Sequence, residues 1–168
     1  MISQERVKEL LDYVEGGLYW KVSTSNRVKV GERAGTLEKT GYRRIKVDGK
    51  YYREHQLVFL YHEGWIPKLI DHRDGERGNN MFENLREACF STNAMNSTIR
   101  KNNSSGVKGV YWHKAAKKWC VEVKAFGKRV HRSWHSCLEL SELVAIEARK
   151  TYHGEFFKNQ AFKVGGKK

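Results

Sequence analysis

The chain has 168 residues, room for one domain or two small ones, and sets 32 Lys+Arg against 19 Asp+Glu for a formal net charge of +13. No apolar run approaches the length that crosses a bilayer and nothing at the start reads as a secretory leader, so no membrane role is expected. Three cysteines without a close pair, Cys89, Cys120 and Cys137, argue against a disulfide framework and a Cys-rich zinc site and point to a reducing cytoplasm.

In chain order, Ser3 is placed to cap a predicted helix over 4–14, with Val7, Leu10, Leu11 and Val14 at helical spacing and Glu15-Gly16-Gly17 as its stop. Residues 18–22 read as a strand. Gly41 to Val47 alternates, and Asp48-Gly49 is a strong hairpin turn into 50–53. Arg43, Arg44, Lys46 and Arg53 stand on that hairpin, as phosphate contacts or as solvated charge. A helix over 55–62 follows, with Leu57, Val58 and Tyr61 as its apolar stripe, and Gly64 to Pro67 ends it. His55 and His62 read as packing or surface residues.

The next segment carries the chemistry. Leu69-Ile70 is a short strand ending at Asp71-His72. Asp74-Gly75 and Arg77 to Asn80 form loop, Leu85 to Ala88 a second short strand, and Ser91 or Thr92 opens a helix through Asn96. Strand, loop, strand and helix gather one carboxylate, one imidazole and two amides from residues 71–72, 84 and 93. A hard cation that keeps its waters suits such a set better than zinc does. This stretch resembles the HNH (ββα-metal) nucleases, in the variant whose third motif position is Asn. The resemblance implies His72 as the general base, Asp71 and Asn93 as ligands of Mg²⁺ or Mn²⁺, and Asn84 as the residue that ties the loop so that His72 points correctly. The motif core is read as 67–98. The part before it resembles, more loosely, the N-terminal part of phage HNH proteins.

Residues 97–105 are polar and form the best boundary, with 1–100 as the nuclease region and 101–105 as the linker. Charge follows this division: residues 1–100 hold 17 Lys+Arg and 14 Asp+Glu (+3), residues 101–168 hold 15 and 5 (+10). The basic half is suited to grip polyanion while the middle does chemistry. Three strand-like segments, 106–112, 117–124 and 127–134, precede a helix over 138–152. Alternation turns Trp119, Val121 and Val123 toward the helix and Glu122 and Lys124 outward; Trp112 and Trp134 are expected in the core. Gly-Val-Lys-Gly-Val at 106–110, Lys118-Trp-Cys-Val-Glu-Val-Lys124, Gly127-Lys-Arg129 and Tyr152-His-Gly-Glu-Phe156 resemble the AP2 DNA-binding domain, here 106–160, with a basic tail at 161–168. That resemblance implies a sheet laid in the major groove, with Lys108, Tyr111, His113, Lys124, Arg129 and His131 at its DNA-contacting positions. Tyr and His stand where plant members favour Arg, so no target sequence follows.

The expectation is an α+β chain: a hairpin and helix leading into an HNH site, then a three-stranded antiparallel sheet with one helix. It would nick or cleave double-stranded DNA in the manner of phage homing endonucleases, in the cytoplasm of a bacterial host and without an obligate protein partner. The alternatives are a DNA-binding regulator whose HNH part is inert scaffold and an RNA-processing enzyme.

Overall fold

The computed structural model describes residues 2–100 and 102–158; Lys101 of the expected linker and the expected tail at 161–168 lie outside them. Among the described residues the chain is a mixed α+β protein of small antiparallel sheets and four α-helices. It divides into two compact units, Met1–Cys89 and Phe90–Lys168, so the segment 97–105 lies inside the second.

In the first unit, α1 (Gln4–Leu10) starts where Ser3 Oγ accepts from the Arg6 N–H at 3.2 Å. It ends at Leu10 and does not run to residue 14. Leu11–Val14 is β1, paired antiparallel with β2 (Gly17–Trp20) from Leu11↔Trp20 to Val14↔Gly17. The switch lets Leu10 and Leu11 both enter the core, at 3% and 0% exposure. Glu15 (φ 45°) and Gly16 (φ 77°) supply the two left-handed residues of a tight hairpin turn. Gly16 has a further reason to lack a side chain: a Cβ there would stand 2.8 Å from the backbone N of Met81. The hairpin turn is therefore seated on the loop that follows Asn80.

A second sheet has the order β3 (Thr36–Leu37), β4 (Arg43–Val47), β5 (Lys50–Arg53), with Asp48-Gly49 at the β4–β5 turn as expected. β5 runs straight into α2 (Glu54–Glu63), where Gln56 Oε1 accepts from the Arg53 N–H at 2.9 Å and Gly64, left-handed at φ 81°, closes the far end. Leu57, Val58 and Leu60 of α2 pack with Val7, Leu18 and Ile45 into one core. β6 (Ile70–His72) and β7 (Leu85–Glu87) form a two-stranded ladder in the register Ile70↔Glu87, Asp71↔Arg86, His72↔Leu85.

The second unit contains α3 (Phe90–Asn96), a sheet of order β10 (Lys128–His135), β9 (Lys118–Ala125), β8 (Val110–His113), and α4 (Leu138–His153). Val107, Val110, Val121 and Ala145 form its core, with Trp119 packed against them. Trp112 and Trp134, expected inside, are 43% and 37% exposed. Trp134 stands opposite Cys120 on the face of the sheet away from Val121, and Trp112 packs edge-on against the half-buried Trp119 at 5.2 Å.

Candidate active site

His72 is buried at the end of β6, and its Nε2 lies 3.0 Å from Asn80 Oδ1. Asn80 is itself buried and donates through Nδ2 to Glu54 Oε2 at 2.8 Å. Glu54, 1% exposed on the first turn of α2, also accepts from the Leu18 N–H at 3.1 Å and from Arg33 Nη2 at 3.2 Å. A buried carboxylate survives only when its oxygens are met by donors, and these come from β2, the loop before β3 and the Asn80 loop. His55 stacks edge-on against His72 at 5.2 Å, and Tyr42 lies 5.3 Å from His55. The guanidiniums of Arg53 and Arg77 sit over the Tyr42 ring at 4.1 and 5.1 Å. The imidazole is thus framed by aromatic rings and by two cations.

The role expected of Asn84 is divided between two residues. Asn84 ties the loop: its Oδ1 accepts from the Asp74 N–H at 3.1 Å, and its Nδ2 donates to Asp74 Oδ1 and to the Asn79 carbonyl. Burial would raise the Asp74 carboxyl, but hydrogen bonds from Glu76 N–H, Asn79 and Asn84 outweigh it and hold the group below the usual carboxylate range. Contact with the His72 ring falls to Asn80. Asp71, beside His72 on β6, faces its cross-strand neighbour: Arg86 Nε and Nη2 reach Asp71 Oδ2 at 2.9 and 2.7 Å, and both residues are 6% exposed. Asn93 is exposed on α3, in the second unit. Of the four expected site residues, the first unit gathers Asp71, His72 and Asn84. Among the described residues no three His, Cys, Asp or Glu side chains converge as a metal cluster.

Burial is the main cause that pushes His55 down to about 3, with repulsion from the Arg53 guanidinium and from any proton shared with the His72 ring adding to it. The folded protein therefore keeps a neutral His55 where the unfolded chain, with an ordinary value near 6.5, binds a proton. Stability from this group is complete above pH 6.5 and falls as the pH drops toward 3. In urea titrations, wild type should lose up to about 1.4 kcal/mol per pH unit more than His55→Gln across roughly pH 6 to 4. Parallel pH profiles would show that His55 is not buried neutral. His62, by contrast, is exposed and stacked on Phe82 at 4.2 Å, as a surface packing residue.

In the second unit the sheet has two distinct faces. Cross-strand register places Tyr111, His113, Lys118, Glu122, Lys124, Arg129, Arg132 and Trp134 on the face away from Val121 and Val123. His113 meets Trp134 edge-on at 4.7 Å, and Arg132 lies 4.9 Å from the Trp134 ring. Glu122 sits among the cations, 3.4 Å from Lys124 Nζ and 3.2 Å from Arg129 Nε. Two expected members of this face lie elsewhere. A bulge between Arg129 and His131 turns His131 to the Val123 side, where its Nε2 meets Ser133 Oγ at 2.9 Å. Lys108 caps the end of α3: its Nζ donates to the carbonyls of Ala94, Met95 and Ser97 at 3.1, 2.8 and 2.6 Å. Burial, with Arg149 nearby, pushes its ammonium down to about 8. Neither contact was visible as spacing, because both depend on one inserted residue or on a helix end.

Glu54, Asn80, Arg86 and Tyr42 carry geometry that the motif reading did not assign. Asn80 and Arg86 lie inside the quoted motif, where Asn-Asn passes for turn chemistry and Arg for solvated charge. Glu54 looks like any acidic residue in a first helical turn.

Residues 52–95 match the HNH endonuclease family. The segment begins in β5, includes Glu54, the Asn80 loop and both strands of the ladder, and ends in α3. The chain is also similar to Protein 3.8 of Escherichia phage T7, with 36% identity over 106 residues, which cover 62% of this chain and 87% of that protein. No solved structure matches. No helix among the described residues is long and apolar enough to cross a membrane. The chain belongs to the family of phage T7 Protein 3.8, and it carries an HNH endonuclease domain at residues 52–95.

Proposed function

We propose that the chain is a divalent-metal-dependent endonuclease that hydrolyses phosphodiester bonds in double-stranded DNA, with an AP2-like sheet and helix in its second unit to hold the duplex. The observation that carries the reading is His72: an imidazole buried within the family-matched segment, fixed by an amide and set beside a carboxylate strand neighbour. His72 takes the proton of the attacking water, a task for which imidazole is suited near neutral pH. Asn84 and Asp74 hold the loop that closes around it. Arg53 and Arg77 supply positive charge for the phosphate.

The donor set fits a hydrated hard cation. Asp71 offers a single buried carboxylate oriented by Arg86, the HNH resemblance names the Asn93 amide as the second ligand, and nothing among the described residues provides the three or four N and S donors of a zinc site. When bound, Mg²⁺ or Mn²⁺ would stabilise charge on the phosphate and the leaving oxygen. Incubating the full chain with supercoiled phage DNA should give nicks with either ion and none in excess chelator. Undiminished nicking under chelation refutes the metal requirement, and one zinc per purified chain argues for a different site. A single HNH centre addresses one strand per engagement, so the first product should be nicked circles.

The second unit supplies affinity. The exposed cations of its outer face neutralise phosphates and release counterions, so log K should fall steeply with log[salt]. Arg129→Ala should lower that slope by about 0.9 if the guanidinium leaves Glu122 for a phosphate. An unchanged slope would restrict Arg129 to its pairing with Glu122.

A further inference from the structure

We propose that Glu54 is a positioning residue that dictates which nitrogen of His72 carries the proton, acting through Asn80. The donors and acceptors around Glu54 leave one arrangement. A carboxylate can only accept, and Glu54 meets four donors: Leu18 N–H, Arg33 Nε at 3.4 Å, Arg33 Nη2 and Asn80 Nδ2. The Asn80 amide therefore has its NH₂ toward Glu54 and its Oδ1 toward His72 Nε2. Reversing the amide would set a carbonyl oxygen against a carboxylate, so the hydrogen-bond network itself fixes its orientation. An amide oxygen also only accepts. Neutral His72 must then donate through Nε2, which leaves the basic lone pair on Nδ1. Burying a carboxylate to 1% exposure would serve packing poorly, since an apolar side chain fills the same space without desolvation cost. Its position 36 residues after Leu18 and 26 before Asn80 makes α2, β2 and the catalytic loop parts of one device.

This inference rests on the nuclease reading of His72, and the test separates the two. Long-range ¹H–¹⁵N spectra of the full chain, with His72 assigned through His72→Gln, should show a proton on Nε2 and an unprotonated Nδ1. Glu54→Gln lets the Asn80 amide turn over, so it should mix the tautomers and lower single-turnover nicking about 10–100-fold with little change in KM, as loss of an orienting outer partner does. Asn80→Asp keeps an acceptor at Nε2 but sets two carboxylates together and should lower the rate by a similar factor with the tautomer unchanged. The double variant Glu54→Gln/Asn80→Asp exchanges carboxylate and amide. The new amide at position 54 would donate to the new carboxylate at position 80, which again accepts from Nε2–H of His72. It should recover both the wild-type tautomer and most of the rate. A proton on Nδ1 in wild type overturns the proposal without any variant having to fold. A folded double variant no faster than either single variant overturns it as well. A wild type that shows the Nε2–H tautomer but never nicks leaves the relay standing and removes the nuclease reading.

Discussion

His72→Ala is expected to lower the cleavage rate by about 10²–10⁴ while leaving DNA affinity nearly unchanged. The asymmetry follows from where the residue sits. His72 is 5% exposed at the end of β6, held by Asn80, and touches ring systems more than solvent, so it is poorly placed to anchor a phosphate. Arg53 and Arg77, with guanidiniums over Tyr42, are better placed for that work. Single-turnover nicking measures the first quantity and a gel-shift titration the second. A rate close to wild type would remove His72 as the base. A parallel loss of affinity would recast it as part of the binding surface. The inert-scaffold alternative makes the opposite forecast: wild type itself would bind and never cut, with or without added metal.

Much of this architecture was legible because local chemistry and long-range packing agree. Asp48-Gly49 and Gly64 behave as turn and cap residues should, and the three C-terminal strands and α4 lie close to where alternation and helical periodicity put them. The helix expected over 4–14 failed because Val7, Leu10 and Leu11 satisfy helical spacing equally well in a chain that turns to strand after Leu10. That difference hid the brace of the Asn80 loop. The β1–β2 hairpin it concealed presents Gly16 to the backbone after Asn80, accepts Phe82 N–H on the Tyr13 hydroxyl at 2.9 Å, and offers Leu18 N–H to Glu54. The Asn80 loop is thus braced by a strand whose Tyr13 lies 69 residues before Phe82, which no motif can announce. The same limit applies to Lys108 and His131. Sequence correspondence put both on a DNA-facing surface, but a helix end needing its acceptors satisfied and a one-residue bulge decide where they go.

Charge and site also divide along the chain in a way that the fold sharpens. Lys108 reaches back to Ala94, Met95 and Ser97, so α3 groups with the basic sheet and carries Asn93 with it. The proposed metal ligands Asp71 and Asn93 consequently belong to different units. A fragment meant to isolate DNA binding should begin at residue 90, since one beginning at 104 removes the carbonyls that hold the Lys108 ammonium.

Arg86→Ala is expected to destabilise the protein by about 3–5 kcal/mol, because it strips the guanidinium from a carboxylate that is 6% exposed. Denaturant titration reads this directly, and a loss under about 1 kcal/mol would mean that Asp71 is solvated as a surface ion pair is. Stability alone does not explain why the pair exists. Replacing both partners, as in Asp71→Leu/Arg86→Met, removes two desolvation costs together and should return most of the lost stability. The same double variant should not nick DNA, because the carboxylate proposed for the cation is gone. A stable, folded and inactive double variant would show that β6 and β7 retain a buried charge pair for chemistry. A double variant that stays as unstable as Arg86→Ala would instead show that the ladder needs the ion pair to form at all. In that case Asp71 could be tested as a ligand only by Asp71→Asn, which keeps the shape and one acceptor oxygen for Arg86 while removing the charge.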